Sequence, residues 1–224
     1  MKLRSTSYHM LIASLPPLPT RFDVDRLPIS LERLEDRLRL LEPEDAREMD
    51  RFLDVVKWSG QFKEPQDAAV VKRYEELMLD ITNSLVREVL TTIMDVRMIT
   101  TGLRRRRRGM GPPPVGIGPW FDQIRRHFHQ PDFGLGSVFP QLAQVAPLFE
   151  QGDVLNIQRH LMEMTWRHLR KRADDYYFSF EAVVLYVCRW HLIREWQDLR
   201  VERGRPIFET LVEEALGKYA NVYS

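Results

Sequence analysis

Cysteine is almost absent: Cys188 stands alone among 224 residues. No disulfide can form within the chain, and a reducing compartment is the natural setting. Long apolar runs are missing as well. The longest, Ala182 to Ile193, is about a dozen residues and contains Arg189 and His191, whereas a membrane helix needs roughly twenty. Near the start, Met10-Leu11-Ile12-Ala13 gives way to Pro16-Pro17, too short for the core of a signal peptide. The expectation is a soluble chain able to lie against a membrane complex. Net charge is also missing. At +1 there is no global pull toward nucleic acid or acidic lipid.

The chemistry of common enzymes is missing too. The loop Gly109-Met110-Gly111-Pro112-Pro113-Pro114-Val115-Gly116-Ile117-Gly118-Pro119 is rich in glycine but holds no lysine. It lacks the Gly-Lys-Ser/Thr ending of a P-loop, and its prolines remove amide donors that a phosphate cradle would use. Asp132-Phe133-Gly134 matches a kinase tripeptide without the accompanying kinase loops. The six histidines never pair at helical zinc-site spacing. His127, His129 and Asp132 are the one local set that could hold a metal, and solvated surface groups explain them as well. There is no Gly-x-Ser-x-Gly. Cys188 lies in an apolar run, where a thiol packs as a small hydrophobe. No carboxylate pair stands out as an acid/base couple. The reading is a non-enzyme with no cofactor, no metal and no small-molecule substrate.

What the chain does have is helix periodicity. The first twenty residues read as extended and proline-punctuated. Ser30 suits an N-cap, with Leu31, Leu34, Leu38 and Leu41 following at helical spacing. Pro43, Glu44 and Asp45 fit the first turn of a second helix that Gly60 would end. A third spans about Asp67 to Ile81. A fourth starts near Asn83 or Ser84, with Leu85, Val89, Ile93, Val96 and Ile99 or Leu103 in one apolar row. Val86, Leu90 and Met94 form a second row. So broad a stripe makes this helix central to the packing. Short helices follow near Trp120 to His129 and Gln141 to Glu150. Long ones run from about Asp153 to Arg172 and from Ser179 to Leu199, and a last one from about Pro206 to Tyr219. Only the N-terminal stretch and Phe133 to Phe139 leave room for strands. The fold class is mainly α: an N-terminal helical half over 1–108, the Gly/Pro loop over 109–119, and a C-terminal helical half over 120–224.

The most distinctive stretch ends the fourth helix. Arg104, Arg105, Arg106, Arg107 and Arg108 follow one another, and Arg125 and Arg126 come soon after. Between Arg97 and Gln130 the only acid is Asp122. A helix C-terminus favours each cation by a few tenths of a kcal/mol, while neighbouring like charges repel. Local stability is therefore a weak reason for the run, and an acidic partner is a better one. Substitution of Arg for Lys on a solvated face is the bland alternative. The aromatics at Tyr176-Tyr177-Phe178-Ser179-Phe180 follow two acids, Asp174 and Asp175, which argues for core packing or a protein interface over base stacking. Arg189, a charge within an apolar helix, must meet a carboxylate such as Glu181 or Glu195 or snorkel to the surface.

At two levels these residues resemble known proteins. Nearly the whole chain is similar to a bacterial family encoded in V-type ATPase operons. The similarity lies in Tyr8-His9-Met10-Leu11-Ile12-Ala13-Ser14-Leu15-Pro16, in Asp132-Phe133-Gly134-Leu135, in Tyr177-Phe178-Ser179-Phe180-Glu181 and in Arg194-Glu195-Trp196. More distantly, the chain resembles the collar protein of the V/A-type ATPase central stalk, the C-subunit family (the d-subunit in eukaryotes). That family carries Asp-x-x-Asn-x-x-x-x-x-Arg, and Asp95, Met98 and Arg104 occupy those places, so the asparagine is missing. Its last long helix has a Glu and a Tyr before a charged turn, matched here by Glu181, Tyr186, Arg194 and Glu195. The chain is shorter than a usual member of the C-subunit family, so the family's three-part funnel would be incomplete. The resemblance implies a non-catalytic helical collar in the cytoplasm, peripheral to the inner membrane. Its partners would be the rotor shaft of the central stalk and the proteins of the membrane ring. It would carry torque between ATP hydrolysis and ion or proton transport. Two other readings stay open: an arginine-rich nucleic-acid-binding protein, and an assembly factor for the same ATPase.

Overall fold

Capping chemistry sets several helix starts in this chain. The structure, a computed structural model, describes residues 8–61 and 68–220, with side chains over 8–54 and, apart from 73 and 154, over 71–200. Lys2, Arg4 and Asp67 lie outside the described residues. Among the described residues a short helix α1 (His9–Ser14) comes first, and α2 (Leu31–Leu38) follows, its Ser30 hydroxyl accepting from the Arg33 amide. Helix α3 (Pro43–Gln61) begins at the proline, with Glu44 and Asp45 in its first turn. After α4 (Ala68–Asp80) comes the long α5 (Ser84–Arg107), capped by Asn83, whose Oδ1 accepts from the Leu85 and Val86 amides. Then come α6 (Phe121–Arg126), α7 (Leu142–Gln151), α8 (Val154–Ala173) and α9 (Phe180–Ala220). Helices account for 66% of the chain, and no strand occurs among the described residues. The mainly α expectation holds.

The local departures have physical reasons. The segment read as extended holds α1, because the Tyr8 amide donates to the Phe178 carbonyl and the phenol reaches α3, fixing the turn from outside. The Phe133 to Phe139 stretch forms consecutive turns instead of a strand, closed by the Asp132 carboxylate on the Gly134 and Gly136 amides. The break expected between Leu199 and Pro206 does not occur, and α9 runs unbroken to Ala220. Proline within a helix forfeits one backbone hydrogen bond, and the helix continues through Pro206 despite that loss.

Helix α5 is the axis of the packing. It touches α3, α6, α7, α8 and α9. Leu85, Val86, Val89, Leu90, Met94, Met98, Ile99 and Leu103 are buried along it. Ile93 and Val96, expected in the same row, are only half-buried. Thr100, Thr101 and Gly102 take burial in their place, since contact on several sides widens the buried face beyond a simple apolar stripe. Each large apolar side chain removed from water contributes about 1.5–3 kcal/mol. One core cluster runs from Tyr8 and Leu11 through α5 to Val187 and Trp190. A smaller one joins Phe22, Met162, Trp166, Ile193 and Trp196, with the Phe22 and Trp196 rings edge to face at 5.5 Å.

Two helix starts share one polar clamp with α3. Glu48, on α3 and buried, accepts from the Asn83 amide at 2.7 Å and from the Thr82 amide at 3.1 Å through Oε1. The Asn83 side-chain amide then donates to Glu181 Oε1 at 2.7 Å, at the start of α9. The N-terminal amides of α5 would otherwise be orphaned in the interior, at about 1–3 kcal/mol each.

Candidate functional site

The end of α5 carries the arginine run, and the run divides in two. Arg104, Arg105 and Arg106 are half-buried, whereas Arg107 and Arg108 are exposed. Arg106 is the anchor. Its Nη2 donates to the Pro131 carbonyl at 3.0 Å, its Nη1 donates to the Gln130 carbonyl, and its guanidinium lies 5.1 Å from the centre of the Phe133 ring. Glu150, at the end of α7, is 3.9 Å from its Nε. Arg105 Nε donates to the Gly111 carbonyl at 2.7 Å, drawing the Gly/Pro loop back onto its own helix. The inner arginines thus lock two loops to the helix end. Arg107 covers Gly152, the left-handed residue that closes α7 at φ 77°.

Helix α6 crosses α5 at Gly102. A Cβ there would stand 2.9 Å from Phe133 Cζ and 3.2 Å from Ile124 Cγ2, so only glycine permits the approach. The crossing brings Arg125 and Arg126 to the same end of the molecule as the run, both exposed. Arg125 lies over the Phe121 ring, 5.5 Å from its centre, and Arg126 Nε donates to the Asp122 carbonyl. The exposed arginines at this end are Arg107, which packs over Gly152, and Arg108, Arg125 and Arg126, while Arg104 to Arg106 are half-buried. Phe133 is fully buried at φ 55°. Such a backbone angle is strained for an aromatic residue, and the packing of its ring under Arg106 and against Gly102 holds it.

The remaining candidate residues do not join that surface. Asp95 and Arg104 are nine positions apart, which puts them on opposite faces of α5. Asp95 is 6% exposed and faces the Gly/Pro loop. Burial raises its pKa to about 7, opposed by a hydrogen bond from the Trp120 side chain, while Oδ1 has no partner. Glu181 belongs to the clamp with Asn83. The Tyr186 hydroxyl donates to the Pro16 carbonyl at 2.9 Å, and burial lifts its pKa to about 12. Glu195 on α9 and Arg97 on α5 attract one another; desolvation lowers the arginine pKa and raises that of the glutamate. Arg194 lies over the Trp190 ring at 5.8 Å and pairs with Asp198. These motif residues bind the helices to one another and to the N-terminal segment.

Among the described residues no group of three or more His, Cys, Asp and Glu is placed to hold a metal ion. The Asp132 carboxylate is spent on glycine amides. Cys188 is buried and burial pushes its pKa well up, which leaves a thiol of low reactivity. No helix among the described residues is long and apolar enough to cross a membrane. Sequence reasoning missed Glu48, Trp120 and Phe133 as the residues that hold this architecture. For Glu48 the signal was an acid on the inner side of an amphipathic helix.

Fold and surface together define a mainly helical protein with a cluster of arginines at the end of α5. The chain belongs to the family described as "Protein of unknown function (DUF2764)", whose model matches residues 63–216. No curated protein and no solved structure matches it.

Proposed function

We propose that this chain is a non-catalytic collar component of a bacterial V/A-type ATPase, akin to the C-subunit family. In this reading it seats its arginine end on an acidic surface of the rotor shaft or membrane ring, couples the two during ATP-driven ion transport, and stays peripheral to the membrane. The carrying observation is the division of labour in the run. Arg106 and Arg105 fix the loops, and Arg107, Arg108, Arg125 and Arg126 are exposed residues at the same end of the molecule. Support for the identity of the partner comes from the likeness of Asp95, Glu181, Tyr186, Arg194 and Glu195 to the pattern of that family. A basic residue near an anionic surface contributes about 1 kcal/mol, screened within roughly 10 Å at moderate salt.

The test is co-purification with the membrane rotor at two salt concentrations. Wild type is expected to assemble at both. The variant Arg107→Gln, Arg108→Gln, Arg125→Gln, Arg126→Gln is expected to assemble poorly, and worse at the higher salt. Equal assembly at both salts removes the arginine end from the interface. A wild type that enters no ATPase but retains RNA, which the variant loses, replaces this reading with nucleic-acid binding. A wild type found only on incomplete ATPase makes it an assembly factor.

A further inference from the structure

A second feature lies in the cleft between the N-terminal segment and the start of α9. Its volume is about 350 Å³, within the range of small-molecule sites. The walls are Leu15, Pro17 and Leu18 on one side and Tyr177, Phe178 and Ala182 on the other. Tyr177 is 73% exposed and Phe178 44% exposed, both large for free surface. The His9 ring packs against the Phe178 ring at that rim, centroids 4.1 Å apart and planes tilted by 37°.

The charged group of the cleft is Arg189. Its Nε donates to the Leu185 carbonyl of its own helix at 3.2 Å. No carboxylate lies within ion-pair distance of it among the described residues. Of the expected partners, Glu181 is hydrogen-bonded to Asn83, and Glu195 lies in the field of Arg97. Arg170 adds a second positive charge nearby, and Asp174 acts on Arg189 only at longer range. The Tyr186 hydroxyl, beside it in the cleft, already donates to Pro16. Half-buried guanidinium groups are normally paired, because removing the charge from water is costly. Two terminal nitrogens suit the two oxygens of a carboxylate.

We propose that this cleft binds a small amphiphilic carboxylate, its apolar or aromatic body against the prolines, Leu18 and Phe178, its carboxylate on Arg189. Charge complementarity fixes the anion and the walls fix the body. A ligand here would bridge the Pro16–Leu18 segment to α9 and so tighten the N-terminal segment onto the helical body.

The probe is 3-phenylpropanoate, with 3-phenylpropanamide as its neutral analogue, followed by ligand-observed and protein NMR on the full chain. Saturable binding of the acid at about millimolar or tighter is expected, with shifts confined to the cleft and at least tenfold weaker binding of the amide. Arg189→Gln is expected to lose about tenfold in affinity, and Arg189→Lys to recover part of it. Phe178→Ala, a change at an exposed position, weakens both compounds and guards against misfolding of the arginine variants. Equal binding of acid and amide, undiminished binding by Arg189→Gln, or no saturable binding of the acid would each overturn the proposal.

Discussion

Asp95 lies directly beneath Gly118: a Cβ added at position 118 would stand 2.5 Å from the Asp95 Oδ1. Gly118 has φ 87°, so glycine is needed there both for its backbone angle and for the space. The contact closes the Gly/Pro loop over a carboxyl that has Trp120 as its hydrogen-bond donor and one oxygen without a partner.

Stability should therefore depend on pH through Asp95. Its pKa is raised by burial from 3.8 to about 7 in the folded chain. An acid whose folded pKa is raised keeps its proton in the native state while the unfolded chain gives it up. The Asp95 contribution to stability is thus greatest below about pH 4, falls between about 4 and 7, and levels off above. At 1.4 kcal/mol per unit the whole effect is of the order of a few kcal/mol. Asp95→Asn should remove that component and leave the variant more stable than wild type at pH 8. Urea unfolding of both proteins from pH 5 to 8 reads it; parallel curves would show that Asp95 is not the titrating group.

Gly102→Ala should destabilise the chain by about 1–3 kcal/mol, because the new methyl meets Phe133 and Ile124 at 2.9 and 3.2 Å. Gly111→Ala, where a Cβ meets nothing within 4 Å, should fall within about 0.5 kcal/mol of wild type. Thermal or denaturant unfolding of the pair measures the contrast, and equal losses would sink the tight crossing of α5 and α6.

The arginines should separate by role. Arg106→Gln removes two hydrogen bonds to carbonyl groups and the contact with Phe133, and should cost about 1–3 kcal/mol. Arg125→Gln and Arg126→Gln, on the exposed face of α6, should stay within about 0.5 kcal/mol. Denaturant midpoints at fixed salt give the comparison; uniform behaviour would mean a plain solvated run.

Asn83→Ala should cost more than an ordinary cap, about 2–4 kcal/mol instead of roughly 1. It strips the α5 cap and also leaves Glu181 without its donor. In a double-mutant cycle with Glu181→Gln, a coupling near zero would show the clamp to be two independent bonds.

Much of the helical order was legible because capping and periodicity are local. Ser30, Pro43 and Asn83 each start a helix where side-chain chemistry said one should start, and the apolar rows of α5 announced a central helix. Partnerships across the fold were not legible. Arg106 finds its carbonyls at Gln130 and Pro131, and Glu48 finds Asn83; no periodicity links such positions. The same holds for Asp95, whose burial comes from a loop that folds back over it. The basic end could be read as a charge pattern, but its split into anchoring and outward-facing arginines depends on loops that the pattern does not encode.

Tyr8 sets an order in time. Its amide is held by the Phe178 carbonyl, and its hydroxyl lies between the Asp45 carboxylate and the Glu42 amide. In synthesis Phe178 follows Tyr8 by 170 residues. At roughly 5–20 residues per second, the opening segment waits about 10–35 s for half of its anchorage. Helix α1 therefore gains its tie to Phe178 only late in synthesis. A pause in translation before Phe178 would leave Leu11 and Ile12 in contact with whatever else is at hand.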